Sequence, residues 1–286
     1  MPEGDTVWQS ANRLDKALHG DVVTRFDLRV PRAATADLRG ETVHEVVARG
    51  KHLLHRIGDY TLHTHLKMEG EWHVYRPGER WRRPAFRARA IVGTERSETV
   101  GFDLGLVELI RTADEEKVVG YLGPDPLSED WDAETAAAHL AADTRPIHVA
   151  IQDQRNVAGF GNEYANELLF LRGLHPLTPA NETDASALIA LGARTIRANR
   201  ERVNRTFTGD TRTGRTDWVY GRERRPCLRC GTPIRSMTVG ADPTRERNVF
   251  WCPDCQREGP PRSGEAVAPA AEQSHENTTI RPNRSS

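Results

Sequence analysis

The sequence predicts an α+β protein of two domains, and three observations carry that prediction. One amphipathic helix is followed by at least six short strands with no helices between them, the pattern of a β-sandwich or barrel. Beyond a Pro/Gly-rich stretch the periodicity turns helical. A module containing all four cysteines of the chain then follows. At 286 residues the chain also sits at the ceiling of about 250–300 residues for a single core.

Each element has its own signal. From Val7 to Leu18, Val7, Ala11, Leu14, Ala17 and Leu18 share one helical face. After Gly20 the candidate strands are Thr42–Ala48, His52–Ile57, Tyr60–His65, Glu71–Tyr75, Phe86–Val92 and Leu106–Ile110, with turns at Gly58-Asp59 and Pro77-Gly78. Leu122-Gly123-Pro124-Asp125-Pro126 marks a boundary. Helices are expected at Asp132–Ala142, where Asp132 is a plausible N-cap, then Pro146–Gln152, Asn162–Leu171 and Asp184–Asn204. The expected division is 1–124, 125–225, a cysteine module at 226–256 and a tail at 257–286. The tail is rich in Pro, Gly, Ser, Ala and Glu, poor in bulky apolar residues and expected to be disordered.

Composition excludes several classes. No apolar run approaches the ~18 residues of a membrane span. The start, Met1-Pro2-Glu3-Gly4-Asp5, lacks the basic and apolar regions of a signal peptide. Four cysteines are too few for a disulfide scaffold, and a reducing, cytoplasmic setting is expected. The formal charge of −1 conceals a split. Residues 194–235 hold 12 Arg against 4 acidic residues, while 98–146 hold 12 acidic against 3 basic. The first stretch suits phosphate contacts on one face, and the second is expected to face away from them.

The strongest chemical motif is Cys227-Leu-Arg-Cys230, 21 residues, then Cys252-Pro-Asp-Cys255. Two CxxC pairs supply the four thiolates of a tetrahedral, structural Zn2+ with no open position, holding a hairpin in place. Free dithiols or a redox motif are the alternatives. In Asp153-Gln154…Ala158-Gly159-Phe160-Gly161-Asn162, two glycines connect helices where backbone amides can approach an anion. An ordinary helix corner has the same pattern. Trimming of Met1 is expected to expose Pro2, a secondary amine that condenses with an aldehyde carbon to a cationic iminium. Glu3 is placed to act as acid or base beside it, although Met-Pro is also a common start. Lys51, in Arg49-Gly50-Lys51, is one of only four lysines; a solvated loop lysine fits equally. His63 and His65 read as strand-edge or phosphate-contact residues.

These motifs occur together, in order, in one family. The sequence resembles the formamidopyrimidine-DNA glycosylase/endonuclease VIII family of base-excision repair enzymes, in its actinobacterial endonuclease VIII-like branch. The resemblance rests on MPEG at the start, RGK at 49–51, DQ…AGFGN at 153–162 and the CxxC…CxxC module with Gln256. It implies a helix on a β-sandwich, a helical domain with a helix–two-turns–helix element, a zinc finger, and damaged DNA as partner in the cleft between domains. It further implies a monomeric bacterial enzyme, nucleoid-associated, that extrudes its target nucleotide from the duplex.

Roles carry over position by position. Pro2 matches the nucleophile that forms a Schiff base at C1′, and Glu3 the general acid/base. Lys51 matches the lysine that assists elimination, and Arg247 the finger arginine that grips phosphate. Asn162 matches a phosphate-binding asparagine, Met68 the residue that fills the gap left by the extruded base, and Lys67 a polar DNA contact beside it. The resemblance thus implies a bifunctional glycosylase and AP lyase cutting by β,δ-elimination. Three departures stand out. Thr6 replaces the family's second carboxylate, which moves to Asp5 or is lost. The finger spacing of 21 is long. Asp103–Arg111 reads as strand where the 8-oxoguanine-type enzymes carry an arginine-bearing loop, which shifts the expected substrates toward oxidised pyrimidines. A non-catalytic binder of damaged or abasic DNA is the alternative that Thr6 motivates. A zinc-ribbon interaction protein would explain the cysteines but not Pro2-Glu3.

Overall fold

The computed structural model describes residues 2–240 and 246–258. Helix α1 (Gly4–Leu18) buries Val7, Ala11, Leu14 and Leu18. It begins before the apolar pattern does, because the Gly4 amide donates to the Gly159 carbonyl (2.9 Å) in a distant segment. Asp15 Oδ1 accepts from the Val46 amide (2.8 Å) and fixes the helix to the sandwich.

Eight antiparallel strands form two sheets. One has the order β2 (Val43–Arg49), β3 (His52–Ile57), β4 (Tyr60–His65), β8 (Leu106–Arg111). The other runs β1 (Arg25–Leu28), β6 (Ala88–Gly93), β7 (Glu98–Phe102), β5 (Glu71–Tyr75). Their shared core includes Phe26, Val46, Leu53, Leu62, Trp72 and Val92, with Leu14 and Leu18 of α1. Strands β1 and β7 escape the sequence pattern for different reasons. β1 has only four residues. β7 is buried along its whole length, so it shows no alternation. Its Glu98 is tolerated inside because Arg25 pairs with it and the Trp81 indole donates to it (2.7 Å). Phe86, expected at a strand start, lies in a single 3-10 turn before β6.

After the short helix α2 (Glu116–Val119) the chain becomes helical: α3 (Ala133–Ala142), α4 (Ile147–Ala150), α5 (Asn162–Arg172) and α6 (Ala185–Arg200). Asp132 caps α3 by accepting from the Glu134 and Thr135 amides, and Asp184 caps α6. α6 stops four residues short of Asn204. The Gln9 side chain of α1 donates through Nε2 to the carbonyls of Asn199, Arg200 and Arg202, and the Asn199 side chain accepts from the Thr206 amide. Those bonds turn the chain back toward α1. Leu140, Ile147, Phe160, Tyr164, Leu168 and Ile196 belong to the helical core.

Strands β9 (Arg235–Val239) and β10 (Arg247–Trp251) pair as the hairpin of the cysteine module. Ile234, Cys227 and Cys252 pack with Phe170 of α5, and the Gln256 side chain donates to the Leu174 carbonyl (2.9 Å). Except for Arg257 and Glu258, the tail at 257–286 lies outside the described residues. Among the described residues no helix is long and apolar enough to cross a membrane.

Candidate active site

A cleft of about 710 Å3 opens between the sandwich, the helical segment and the hairpin. Its lining includes Pro2, Lys51, Lys67, Met68, Asn162 and Arg247. Six positions scattered over 246 residues of sequence therefore share one surface. Glu3 is fully buried just beneath it.

The geometry at Glu3 follows from the start of α5. Gly161 at its N-cap offers no side chain, so the first amides of the helix need an acceptor from elsewhere. Glu3 provides it: Oε2 accepts from the Gly161 amide (2.6 Å) and Oε1 from the Glu163 amide (2.8 Å). Lys51 reaches the same place from the β2–β3 turn, its Nζ donating to the Phe160 carbonyl (2.6 Å). Burial pulls the Lys51 pKa down, and the Glu3 carboxylate opposes that pull. Gly161 must be glycine. A Cβ there would lie 2.7 Å from both Lys51 Nζ and the Glu3 carboxyl carbon.

Supporting bonds fix this loop. Gly50, at φ +57°, donates its amide to buried Asp125 (2.6 Å). Burial raises the Asp125 pKa, and the amides of Gly50 and Leu127 oppose the rise. Gln154 donates to the Phe160 carbonyl (2.8 Å) and accepts from the Gly159 amide (2.9 Å). The Glu3–Lys51 pair thus rests on a loop held from both domains.

Asn162 joins the helices to the hairpin. Its Nδ2 donates to the Asn248 carbonyl (2.9 Å), and its Oδ1 pairs with His148 Nε2 (3.0 Å). Asn166 accepts from the Phe250 amide (2.6 Å). These bonds set β10, and with it Arg247, against the cleft. On the opposite wall the β4–β5 turn presents Met68, 67% exposed. Lys67 adopts φ +56° and donates its amide to His65 Nδ1 (2.9 Å). That bond leaves the ring proton of neutral His65 on Nε2, as a donor.

The carboxylate that stands next to Thr6 is engaged inside the protein. Asp5 is 2% exposed and receives Arg205 through Nε (2.7 Å), with Tyr164 Oη also donating to it (2.9 Å). Arg205 also holds Glu163 (2.7 Å) and the Thr6 hydroxyl (2.8 Å). Burial pushes Glu163 up to about 7, against the pull of Arg205 and with repulsion from Glu3. Sequence reasoning missed Arg205 and Glu163, for their partners lie 200 and 42 residues away. It also missed Glu167, whose buried carboxylate accepts from the amides of Trp218, Val219 and Tyr220 (2.8–2.9 Å). The single available signal was position: both glutamates follow the Gly-Asn turn on one helix. The acidic stretch 98–146 contributes no carboxylate to the described lining of the cleft.

The sulfur atoms of Cys227, Cys230, Cys252 and Cys255 lie within 4.8 Å of one another, with Cys230 3.4 Å from Cys252 and 3.6 Å from Cys255. Four sulfurs at ~2.3 Å from one tetrahedral ion are about 3.8 Å apart. The cluster fits a metal ion.

A buried carboxylate that caps a helix start and a cleft with cations on several walls belong to a DNA glycosylase of the helix–two-turns–helix class. Comparison with known proteins agrees. Residues 1–105 match the formamidopyrimidine-DNA glycosylase N-terminal domain and 122–208 the formamidopyrimidine-DNA glycosylase H2TH domain. The chain is 50% identical over 270 residues to the probable endonuclease 8 2 of Streptomyces coelicolor, spanning 92% of this chain and 97% of that protein. It is 46% identical over 258 residues to the DNA-(apurinic or apyrimidinic site) lyase Nei2 of Mycolicibacterium smegmatis, spanning 90% and 99%. A structure of the Lactococcus lactis Fpg (MutM) protein with oxidised-pyrimidine DNA superposes with a TM-score of 0.73 at 25% identity, covering 90% of this chain and all of that one. The chain belongs to the formamidopyrimidine-DNA glycosylase/endonuclease VIII family.

Proposed function

We propose that the chain is a bifunctional DNA glycosylase and AP lyase of base-excision repair, acting through Pro2 once Met1 is removed. The Pro2 nitrogen bonds to C1′ as the bond from C1′ to the damaged base breaks. Opening of the sugar ring gives an iminium, with the ring oxygen taking a proton. The cationic iminium acidifies the neighbouring C2′–H, and loss of that proton expels the 3′ phosphate. A second elimination expels the 5′ phosphate. One observation carries this reading. The Glu3 carboxylate and the Lys51 amine are held on one glycine turn at the base of the cleft that Pro2 lines. Glu3 is assigned the proton transfers, Lys51 the support of elimination, and Arg247, Asn162, Lys67 and Met68 the grip on DNA.

The lesion class assigned is oxidised pyrimidines. Its support is β8, which takes Leu106–Arg111 of the expected strand Asp103–Arg111 into pairing with β4 and leaves Asp103-Leu104-Gly105, which holds no arginine, as the turn after β7. The four cysteines are assigned one structural Zn2+ that holds the hairpin and takes no part in the reaction. The catalytic sandwich is assigned to 1–124, the helical DNA-binding domain to 125–225 and the finger to 226–256. One chain carries nucleophile, acid/base and finger, so we assign a monomer working in the bacterial cytoplasm on nucleoid DNA.

Borohydride reduction during reaction with abasic-site DNA tests the assignment. A covalent protein–DNA adduct that Pro2→Gly abolishes is expected. Tight binding to an abasic analogue with no adduct at any protein level would instead establish the non-catalytic binder.

A further inference from the structure

Tyr121 lies on the cleft wall beside the Lys51 turn, 51% exposed. It is the single Phe, Tyr or Trp among the described lining residues. Its neighbour Leu122 packs with Ala158 and Leu54 beneath the same turn. Tyr121 Oη lies 3.2 Å from His52 Nε2, His52 Nδ1 lies 2.8 Å from His63 Nε2, and His63 Nδ1 lies 3.3 Å from a Glu108 carboxylate oxygen.

The carboxylate at one end gives this chain a direction. A carboxylate oxygen can only accept, so the proton of neutral His63 is on Nδ1 and its Nε2 accepts. His52 must then donate from Nδ1, which leaves its Nε2 as an acceptor. Tyr121 therefore donates its hydroxyl proton to His52 and presents only oxygen lone pairs to the cleft. Both histidines stay neutral through burial, helped for His52 by repulsion from His63, Lys67 and Lys51, while Glu108 and Glu115 oppose the effect at His63. Arg155 is the charge that bears on Tyr121, and His65 stands edge-on to His52 at 5.0 Å.

An acceptor oxygen on an aromatic ring repels phosphate and suits a base. The ring offers a stacking face, and the oxygen takes an N–H from the base edge. Resting on the glycosylase reading above, we propose that Tyr121 is a base-contacting specificity residue for the extruded nucleotide. Glu108 is the positioning residue that sets its hydrogen-bond polarity through His63 and His52.

Abasic DNA lacks the base, and this isolates the role. The quantity to measure is kcat/KM on a set of base lesions divided by kcat/KM on an abasic site in the same duplex. Tyr121→Ala is expected to lower this ratio roughly 10- to 100-fold, the worth of one stacked base. Tyr121→Phe keeps the ring and is expected to lower it mainly for lesions that present an N–H. Glu108→Gln can donate to His63, lets the chain reverse, and is expected to shift the ranking of lesions in the same sense as Tyr121→Phe. Equal losses on lesion and abasic DNA, or a ratio unchanged in all three variants, would overturn the proposal while leaving the glycosylase reading intact. A wild-type chain that forms no borohydride adduct removes that reading, and this proposal with it.

Discussion

The Gly161 amide donates to Glu3 Oε2 at 2.6 Å across 158 residues of sequence. The bond joins the N-cap of the sandwich helix to the start of α5, so the relative placement of the two domains and the aim of the carboxylate proposed for proton transfer are one variable. Gly161→Ala would put a Cβ 2.7 Å from both the Glu3 carboxyl carbon and Lys51 Nζ. Displacements of about 1 Å at reacting groups can cost on the order of 100-fold. A loss of that size in single-turnover cleavage is expected, with secondary structure by circular dichroism retained.

Glu3→Gln keeps the side-chain shape but turns one accepting oxygen into a donor. The new amide must face the Gly161 or the Glu163 amide, donor against donor. General acid/base help is worth about 100- to 10,000-fold, so strand cleavage at abasic sites is expected to fall by at least ~100-fold. The mispaired buried amide is expected to cost about 1–3 kcal/mol in denaturant unfolding.

Arg205 ties Asp5 of α1 and Glu163 of α5 together with its side chain 13% exposed. Arg205→Met leaves two buried carboxylates without that cation, and breaking a buried pair typically costs about 3–5 kcal/mol. Glu163 already titrates at about 7, so the variant is expected to regain part of its stability as pH falls below neutral and Glu163 takes a proton. The double variant Arg205→Met/Glu163→Gln should lose less than the single one. Chemical denaturation at pH 6 and pH 8 checks both expectations.

How much of this was legible beforehand depends on the length scale of the cause. Strands β3, β4 and β5 follow from short strand-forming runs bounded by turn residues and fall where the sequence put them. The start of α5 follows from the Gly-Phe-Gly-Asn turn, and the clustering of the four cysteines from their spacing. Strand β7 was invisible because it is buried along its whole length, its Glu98 being satisfied by Arg25 of β1 and by Trp81 of the β5–β6 loop. The neutralisation of Asp5 by Arg205, and the histidine chain behind Tyr121, depend on partners that no local pattern announces. Residue types at the site could be named from sequence, whereas the bonds that aim them required the fold.

Acid should unfold the chain through buried histidines. Burial lowers His55 and His148 from 6.5 to about 4. Between those values the unfolded chain binds more protons than the folded one, so stability rises with pH there and is lost as pH falls from 6.5 toward 4. The gap corresponds to roughly 3 kcal/mol per histidine. His55→Leu is expected to remove about that much of the decline between pH 7 and pH 4, read as a shallower fall in the urea midpoint. An unaltered slope would assign the acid sensitivity to other groups.

Removing the metal assigned to the four cysteines should weaken DNA binding without unfolding the sandwich. The hairpin is tied to α5 by the Asn162–Asn248 and Asn166–Phe250 bonds and by Gln256 on Leu174. Those bonds fix Arg247 at the cleft, while the sandwich core is built from α1 and the two sheets. A structural zinc site supplies much of the folding energy of its module. Chelation, or Cys252→Ser, is therefore expected to lower duplex affinity by at least ~10-fold and to flatten its salt dependence as Arg247 gives up the phosphate grip proposed for it. Proton–deuterium exchange should rise across 227–256 and at the start of α5, and stay slow in β3 and β4. Equal exchange in both regions would mean that the finger and the sandwich unfold as one unit.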